Sequence, residues 1–317
     1  MRYLITGAGQ IGAQLARDIA EAGHDAVVLR RRTDAVEGAA TIAGDAGDRA
    51  AVREAAEGAE AILHCIHAPY SAAAWRRELP GREAAVMDVA ADLGVPVVFP
   101  ESVYAFGLGA RDLSEGSPIA PVSPLGRVRA QLLEARAAHR ARTASVVASD
   151  LFGPTSTSKG SVVLATVLGP ASRGERAWAM GDPDAPHAIT CIPDLSRAML
   201  AAAPLARQGG VTLLSPTGPA RSQRQMAADA AAATGRAPAG ITRIPAAAFA
   251  LCAPFSAAAR ELFRQRYLWS ATSELRPGRL TTELGLRPTP WDDALAEWAR
   301  GLAEWARGLT PERAARS

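Results

Sequence analysis

Apolar residues in this chain come in short runs of strand length, separated by stretches in which they return every three or four positions. Tyr3-Leu4-Ile5 is the first run, and the recurrence of Leu15, Ile19 and Ala22 between Ala13 and Ala22 is that of one helix face. Ala26-Val27-Val28-Leu29 is the second run, and Thr41-Ile42-Ala43, closed by a turn at Gly44-Asp45, is the third. A helical pattern over 49–58 leads to Ala61-Ile62-Leu63-His64-Cys65-Ile66, and a helix predicted over Arg82–Leu93 leads to Val95-Pro96-Val97-Val98-Phe99. Strands alternating with helices predict an α/β fold on a doubly wound parallel sheet, a Rossmann architecture with its ligands at the carboxyl ends of the strands.

The rhythm loosens after Thr155. Residues 155–175 and 217–275, rich in Ala, Pro, Ser and Arg, are predicted to form a smaller substrate-binding lobe, whereas 176–216 and 276–317 return to the dinucleotide-binding domain of residues 1–154. Leu251, Phe255, Leu262, Phe263, Tyr267, Leu268 and Trp269 hold much of the chain's bulk, and either line an apolar pocket for a large flat ligand or form the lobe's own core. Leu-Ala-Glu-Trp-Ala-Arg-Gly occurs twice, at 295–301 and 302–308, which keeps Leu295 with Leu302 and Trp298 with Trp305 on one helical face. A docking helix and an oligomer contact both fit that pattern.

The chemistry begins at the first strand, which runs into Gly7-Ala8-Gly9-Gln10-Ile11-Gly12 and then a helix. Gly7 permits the tight turn, Gly9 lets backbone N–H groups approach a pyrophosphate, and Gly12 lets helix and strand pack closely, with Gln10 and Ile11 at the phosphate-binding end. At the end of the second strand, where an acidic residue would bind an adenosine ribose, stand Arg30, Arg31 and Arg32. Guanidinium groups bind phosphate oxygens in pairs, so the expected cofactor is NADPH/NADP+, although Asp34 is also within reach of a ribose. Asp45 after the third strand and Ile66, His67 and Ala68 after the fourth are expected to line the same cleft, His67 as a polar wall residue.

With 317 residues, a net charge of +3 and acids scattered among the arginines, the composition is that of a globular protein without a nucleic-acid surface. No apolar run is long enough for a membrane span, and the first strand starts at residue 2, so a cytoplasmic location is expected. Cys65, Cys191 and Cys252 lack the spacing of a metal site and are expected to be reduced core thiols; no metal is expected. Lys159 is the only lysine and asparagine is absent, so an arginine at any one site can reflect composition as well as chemistry.

Val103-Tyr104-Ala105-Phe106-Gly107, Glu115, Pro118 and Pro121-Val122-Ser123-Pro124-Leu125-Gly126-Arg127-Val128-Arg129 resemble the extended short-chain dehydrogenase/reductases, the group that includes nucleotide-sugar epimerases and dehydratases. Ser149-Asp150-Leu151-Phe152-Gly153-Pro154 and 187–195 resemble two further segments of that family, and the likeness spans about 1–298, although the glycine turn is one residue shorter than usual. It implies that Leu151 and Phe152 border the cofactor. It also implies a Tyr and a Lys where this chain has Leu125 and Arg129, and a Ser or Thr where it has Pro100. Arg129 can keep the lysine's contact with the nicotinamide ribose but does not supply protons.

Ser102 and Tyr104 are the remaining hydroxyl side chains expected to orient a carbonyl. The chain also resembles the triad-lacking ketoreductases of angucyclinone tailoring. This implies an NADPH-dependent ketoreductase of antibiotic biosynthesis, acting on a large aromatic ketone with help from the substrate's own hydroxyl. A cofactor-binding regulator without activity and a nucleotide-sugar epimerase or dehydratase are the alternatives.

Overall fold

A computed structural model describes residues 1–245, 247–248, 251 and 254–306. The central sheet contains β1 (Arg2–Thr6), β2 (Asp25–Arg30), β3 (Ala40–Ala43), β4 (Ala61–His64), β5 (Val97–Ser102), β6 (Thr143–Ala148) and a seventh strand, Val211–Leu214. Their order is Val211–Leu214, β6, β5, β4, β1, β2, β3, and every pairing is parallel. The order reverses between β1 and β4, so the crevice above their carboxyl ends is the switch point at which a doubly wound sheet takes its ligand.

Side chains alternate across each strand and are buried on both faces. Ile5, Val28, Leu63 and Val98 join Leu15 and Ile19 of α1 (Gln10–Glu21) and Leu195 and Met199 of the helix Ile192–Ala202. Their neighbours Leu4, Val27, Leu29, Ile62, Val97 and Phe99 join Val52 of α2 (Arg49–Ala55) and Val86 and Met87 of α3 (Ala72–Leu93) on the other side. That double burial is why these strands read as unbroken apolar runs rather than as alternating ones.

α3 is longer than the pattern predicts. Leu79-Pro80-Gly81 looks like a break, yet the helix starts at Ala72 and passes through Pro80, with the Ser71 Oγ accepting from the Ala74 N–H at 3.3 Å. Trp75 and Leu79, each 1% exposed, pack with Leu125, Val128 and Leu132 of α4 (Pro124–Ala138), and this burial outweighs the local signal.

Of the segments predicted as a lobe, Val163, Leu164, Val167 and Leu168 pack with Phe152 and with Met226 and Ala230 of the helix Gln223–Ala233. Leu295 and Trp298 of the closing helix Trp291–Ala306 are buried in this same cluster with Leu302 beside them, so the first copy of the repeat docks within the chain, against the residues around Val163 and Met226. The side chains from 303 onward, Trp305 included, and Cys252 lie outside the described residues. The bulky segment does not form one pocket. Leu268 and Trp269 are buried with Val103 and Phe106 beside the sheet, whereas Leu251 and Phe255 are 75% and 90% exposed. Among the described residues no helix is long and apolar enough to cross a membrane.

Trp298 is 2% exposed, so Trp298→Ala should lower the unfolding free energy by about 3–5 kcal/mol in urea denaturation, the usual cost of emptying a core tryptophan site. Unchanged stability would mean that the repeat does not dock.

Candidate active site

Gly7 adopts φ +90 and donates its N–H to the Leu29 carbonyl at 2.9 Å, which turns the chain from β1 toward α1. A Cβ on Gly12 would sit 2.0 Å from the Gly7 oxygen, so that position excludes larger residues by space, whereas Gly7 is favoured by its positive φ. A Cβ on Gly9 would meet nothing within 4 Å. Gly9 is also the N-cap of α1 and supplies no side-chain acceptor, so the first N–H groups of the helix are left for a ligand. This geometry fits a dinucleotide pyrophosphate.

The side chain and carbonyl of Gln10 are taken up from across the crevice. Its Nε2 donates to the Gly160 oxygen at 3.1 Å, its Oε1 accepts from the Thr157 N–H at 3.3 Å, and its carbonyl accepts from Thr155 Oγ1 at 2.7 Å. Ile11 is half-buried against the core below the turn.

Arg30 ends β2 half-buried, with Asp34 at 3.6 Å; Arg32 pairs with the same carboxylate at 2.7 Å, and Arg31 is exposed without an ion pair among the described residues. Asp45 is half-buried after β3 and accepts from the Gly47 N–H at 2.8 Å.

Past β4, His67 turns an exposed edge to the crevice. Arg129 Nη2 donates to its Nε2 at 3.0 Å, so Nδ1 carries the hydrogen, donated to the Ala68 carbonyl at 2.7 Å. Loss of water around the ring and the neighbouring guanidinium hold its pKa below the ordinary histidine value. Both nitrogens are engaged, so His67 holds Arg129 rather than shuttling protons. Ala68 itself is buried in the cluster around Trp75.

Behind this edge lies a buried charge network. Arg136 binds both oxygens of Glu83 at 2.7 Å, Glu101 Oε2 at 2.8 Å and Ser145 Oγ at 3.0 Å, and its guanidinium lies 4.1 Å from the centre of the Phe99 ring. The second Glu101 oxygen lies 3.4 Å from Arg129 Nε, and the Arg129 guanidinium stacks 4.6 Å over Trp75. Arg129 Nη1 has no hydrogen bond among the described residues, which suits contact with a ribose hydroxyl.

Ser102 does not face a reaction centre with a free hydroxyl: its N–H and Oγ lie 2.8 and 3.5 Å from Glu101 Oε1. Tyr104 pairs instead with Tyr70, hydroxyl to hydroxyl at 3.1 Å, and stacks on Trp75. Burial, first, and the charge of Asp150 raise the pKa of both phenols, so both stay protonated at neutral pH. Leu151 is half-buried against the sheet core. Phe152 is 2% exposed and its ring packs on Trp291.

The sequence reading missed Tyr70, Glu101 and Arg136. Glu101 was detectable as a lone carboxylate at the end of an apolar strand, and Arg129 and Arg136 as arginines seven positions apart on one helix face.

Residues 3–212 match the model of the NAD dependent epimerase/dehydratase family. The protein belongs to this family. A comparison with curated proteins found no match. Among solved structures, MoeE5 in complex with UDP-glucose and NAD is 20% identical over 98% of this chain and 100% of its own, with a TM-score of 0.74. A UDP-glucose 4-epimerase from Thermotoga maritima, solved with UDP-glucose, is 17% identical over 96% of this chain and 100% of its own, with a TM-score of 0.73. The dTDP-glucose 4,6-dehydratase DesIV from Streptomyces venezuelae, a double mutant with NAD bound, is 20% identical over 98% of each chain, with a TM-score of 0.73. At these identities the likeness is one of fold.

Two outcomes follow for this epimerase/dehydratase-family protein. Arg136→Leu leaves Glu83 and Glu101 buried without a counter-charge and should cost about 3–5 kcal/mol of stability in chemical denaturation; a loss under 1 kcal/mol would show that the network is not structural. His64 is held neutral by burial, first, and by the Arg136 and Arg82 charges, to a pKa of about 3. The unfolded chain takes up this proton near the usual histidine value and the native one does not, so the stability His64 contributes is complete above about pH 6.5 and is lost as the pH falls toward 3. Denaturation at pH 7 and pH 5 should show the lower stability at pH 5 and a flatter difference in His64→Gln. Equal slopes in the two proteins would refute this account.

Proposed function

We propose that this protein is an NADPH-dependent ketoreductase in which the Tyr70–Tyr104 pair, rather than a tyrosine on α4, donates the hydrogen bond to the substrate carbonyl. The observation that carries the reading is a crevice with a dinucleotide turn at one end and, at the other, two phenols kept protonated beside an engaged arginine. Where the family's tyrosine is expected stands Leu125, 0% exposed and packed in the Trp75 cluster, so α4 offers no proton donor or base there. A nucleotide-sugar epimerase or dehydratase first takes a proton from an alcohol, which a phenol held protonated does poorly; reduction of a ketone needs a donor, which it does well.

The dinucleotide would be held by Gly7, Gly9 and Gly12 with the first N–H groups of α1, by Arg30 and Arg31 at an adenosine 2′-phosphate, and by Arg129 at the nicotinamide ribose. NADPH supplies a hydride when bound. The residues of the chain hold the ketone in place, a contribution of about 7–11 kcal/mol when the geometry is right, and offer a phenolic O–H to the oxygen as it gains negative charge. A hydroxyl beside the carbonyl of a polycyclic aromatic substrate would share that charge through an internal hydrogen bond. The half-buried rings of Tyr70 and Tyr104, backed by the buried Trp75, suit such a ligand.

NADPH should bind more tightly than NADH by about 1–3 kcal/mol, with the preference lost in Arg30→Ala/Arg31→Ala, as fluorescence titration would measure. Equal affinities would return the cofactor assignment to NAD. Aromatic hydroxyketones should oxidise NADPH faster than their O-methyl analogues, and Tyr70→Phe/Tyr104→Phe should lower kcat by about 10²–10⁴-fold. Turnover of UDP-glucose with no ketone reduced would favour the epimerase reading, and binding of cofactor with no turnover at all would favour a regulator.

A further inference from the structure

Asp150 follows β6 at the same end of the crevice, opening the short strand Asp150–Phe152 that pairs in parallel with Ile189–Cys191. Its Oδ2 accepts two hydrogen bonds, from His187 Nε2 at 2.7 Å and from Trp269 Nε1 at 2.9 Å. Both donors are buried, His187 at 2% and Trp269 at 1% exposure, and the other nitrogen of His187 faces the Leu268 carbonyl at 3.3 Å. Two fixed donors on one oxygen lock the carboxylate, and they leave Oδ1 without a hydrogen-bond partner among the described residues, on a side chain that remains 14% exposed. Ser102 of β5 and Ala148 of β6 are parallel partners, so Tyr104 and Asp150, each two residues further on, leave the sheet at the same carboxyl edge, and the Asp150 charge adds to the raised pKa of both phenols.

The buried cations near this end are already matched. Arg136 and Arg129 face Glu83 and Glu101. At the far end of the crevice, three arginines stand against the single carboxylate of Asp34. Phosphate is therefore favoured where the adenosine would lie and disfavoured beside Asp150, where an anion would meet a fixed, partly desolvated carboxylate oxygen.

We infer that Asp150 determines substrate specificity: Oδ1 accepts a hydrogen bond from a hydroxyl of an uncharged substrate and turns away ligands carrying a diphosphate. The inference rests on the reading of this crevice as a ketoreductase site and narrows its substrate class. An unpaired carboxylate oxygen beside the substrate discriminates strongly, because a ligand without a donor there leaves it desolvated and unsatisfied.

Asp150→Asn is the informative change. The amide oxygen can still take the bonds from His187 and Trp269, while the atom facing the crevice changes from acceptor to donor. A purely structural role would be largely preserved. Binding of a polyhydroxylated anthraquinone and of UDP-glucose to the NADP+ complex would be measured by calorimetry, alongside steady-state reduction of the anthraquinone and NADPH affinity as a check on folding. Asp150→Ala serves as a second variant.

In Asp150→Asn, we expect anthraquinone affinity to fall about 10- to 100-fold and UDP-glucose affinity to rise about tenfold, with the kinetic loss in KM rather than kcat and NADPH binding unchanged. Asp150→Ala should lose the anthraquinone preference without the full gain for UDP-glucose. Unchanged affinities, a shift of both ligands in the same direction, or a wild-type protein that prefers UDP-glucose would each overturn the inference. If the two affinities cross as expected but neither protein reduces any ketone, the selectivity stands and the reductase reading falls. If ketones are reduced but the affinities do not cross, the selectivity alone falls.

Discussion

Four charged side chains, Glu83, Arg136, Glu101 and Arg129, lie under the crevice and are nearly closed to water. A buried carboxylate or guanidinium is tolerated only when it is matched, and here each is matched from a different element: α3, β5 and two turns of α4. The network therefore fixes the rotation and height of α4 against the sheet more than it adds net stability, because apolar packing of equal volume would serve stability as well. Arg129 points at His67, and from there at the crevice, because Arg136, seven residues on, is clamped by both oxygens of Glu83.

That clamp also bears on the composition. Thirty-four of the thirty-five basic residues are arginine, which taken alone makes arginine on α4 uninformative. The geometry separates the cases. Arg136 uses three nitrogens on three partners at once, a planar fork that a lysine could not reproduce, whereas the exposed Arg31 has no ion pair among the described residues. Composition supplied the residue type, and the fold has made one instance irreplaceable.

Much of the fold was legible because it depends on local period. Strands covered on both sides read as apolar runs, and the glycine turn reads as itself because Gly7 holds a positive φ and Gly12 has no room for a Cβ. The first part of α3 was not legible, since Pro80 looks like a terminus until Trp75 and Leu79 are seen buried against α4. The cofactor end of the crevice was readable from one contiguous motif and one arginine run. The opposite end was not: Tyr70 meets Tyr104 across 34 residues and Asp150 meets Trp269 across 119, distances at which no spacing rule operates and only topology brings the groups together. The packing of Phe152 was hidden for a related reason, because Leu151 beside it borders the sheet while its own ring packs with Val163 and Trp291.

The segment 155–160 reaches across the crevice to hold Gln10 at three atoms, and it carries Lys159, exposed and without another lysine in 317 residues. The molecule thus has a single ε-amine, placed on the strap that covers the start of α1. A protease that cleaves only after lysine has one bond to attack, Lys159–Gly160, and the carbonyl of Gly160, one residue beyond the cut, is held by Gln10. The native chain is consequently its own reporter: the rate of that one cut measures how often the strap lifts, with no label added and no residue changed.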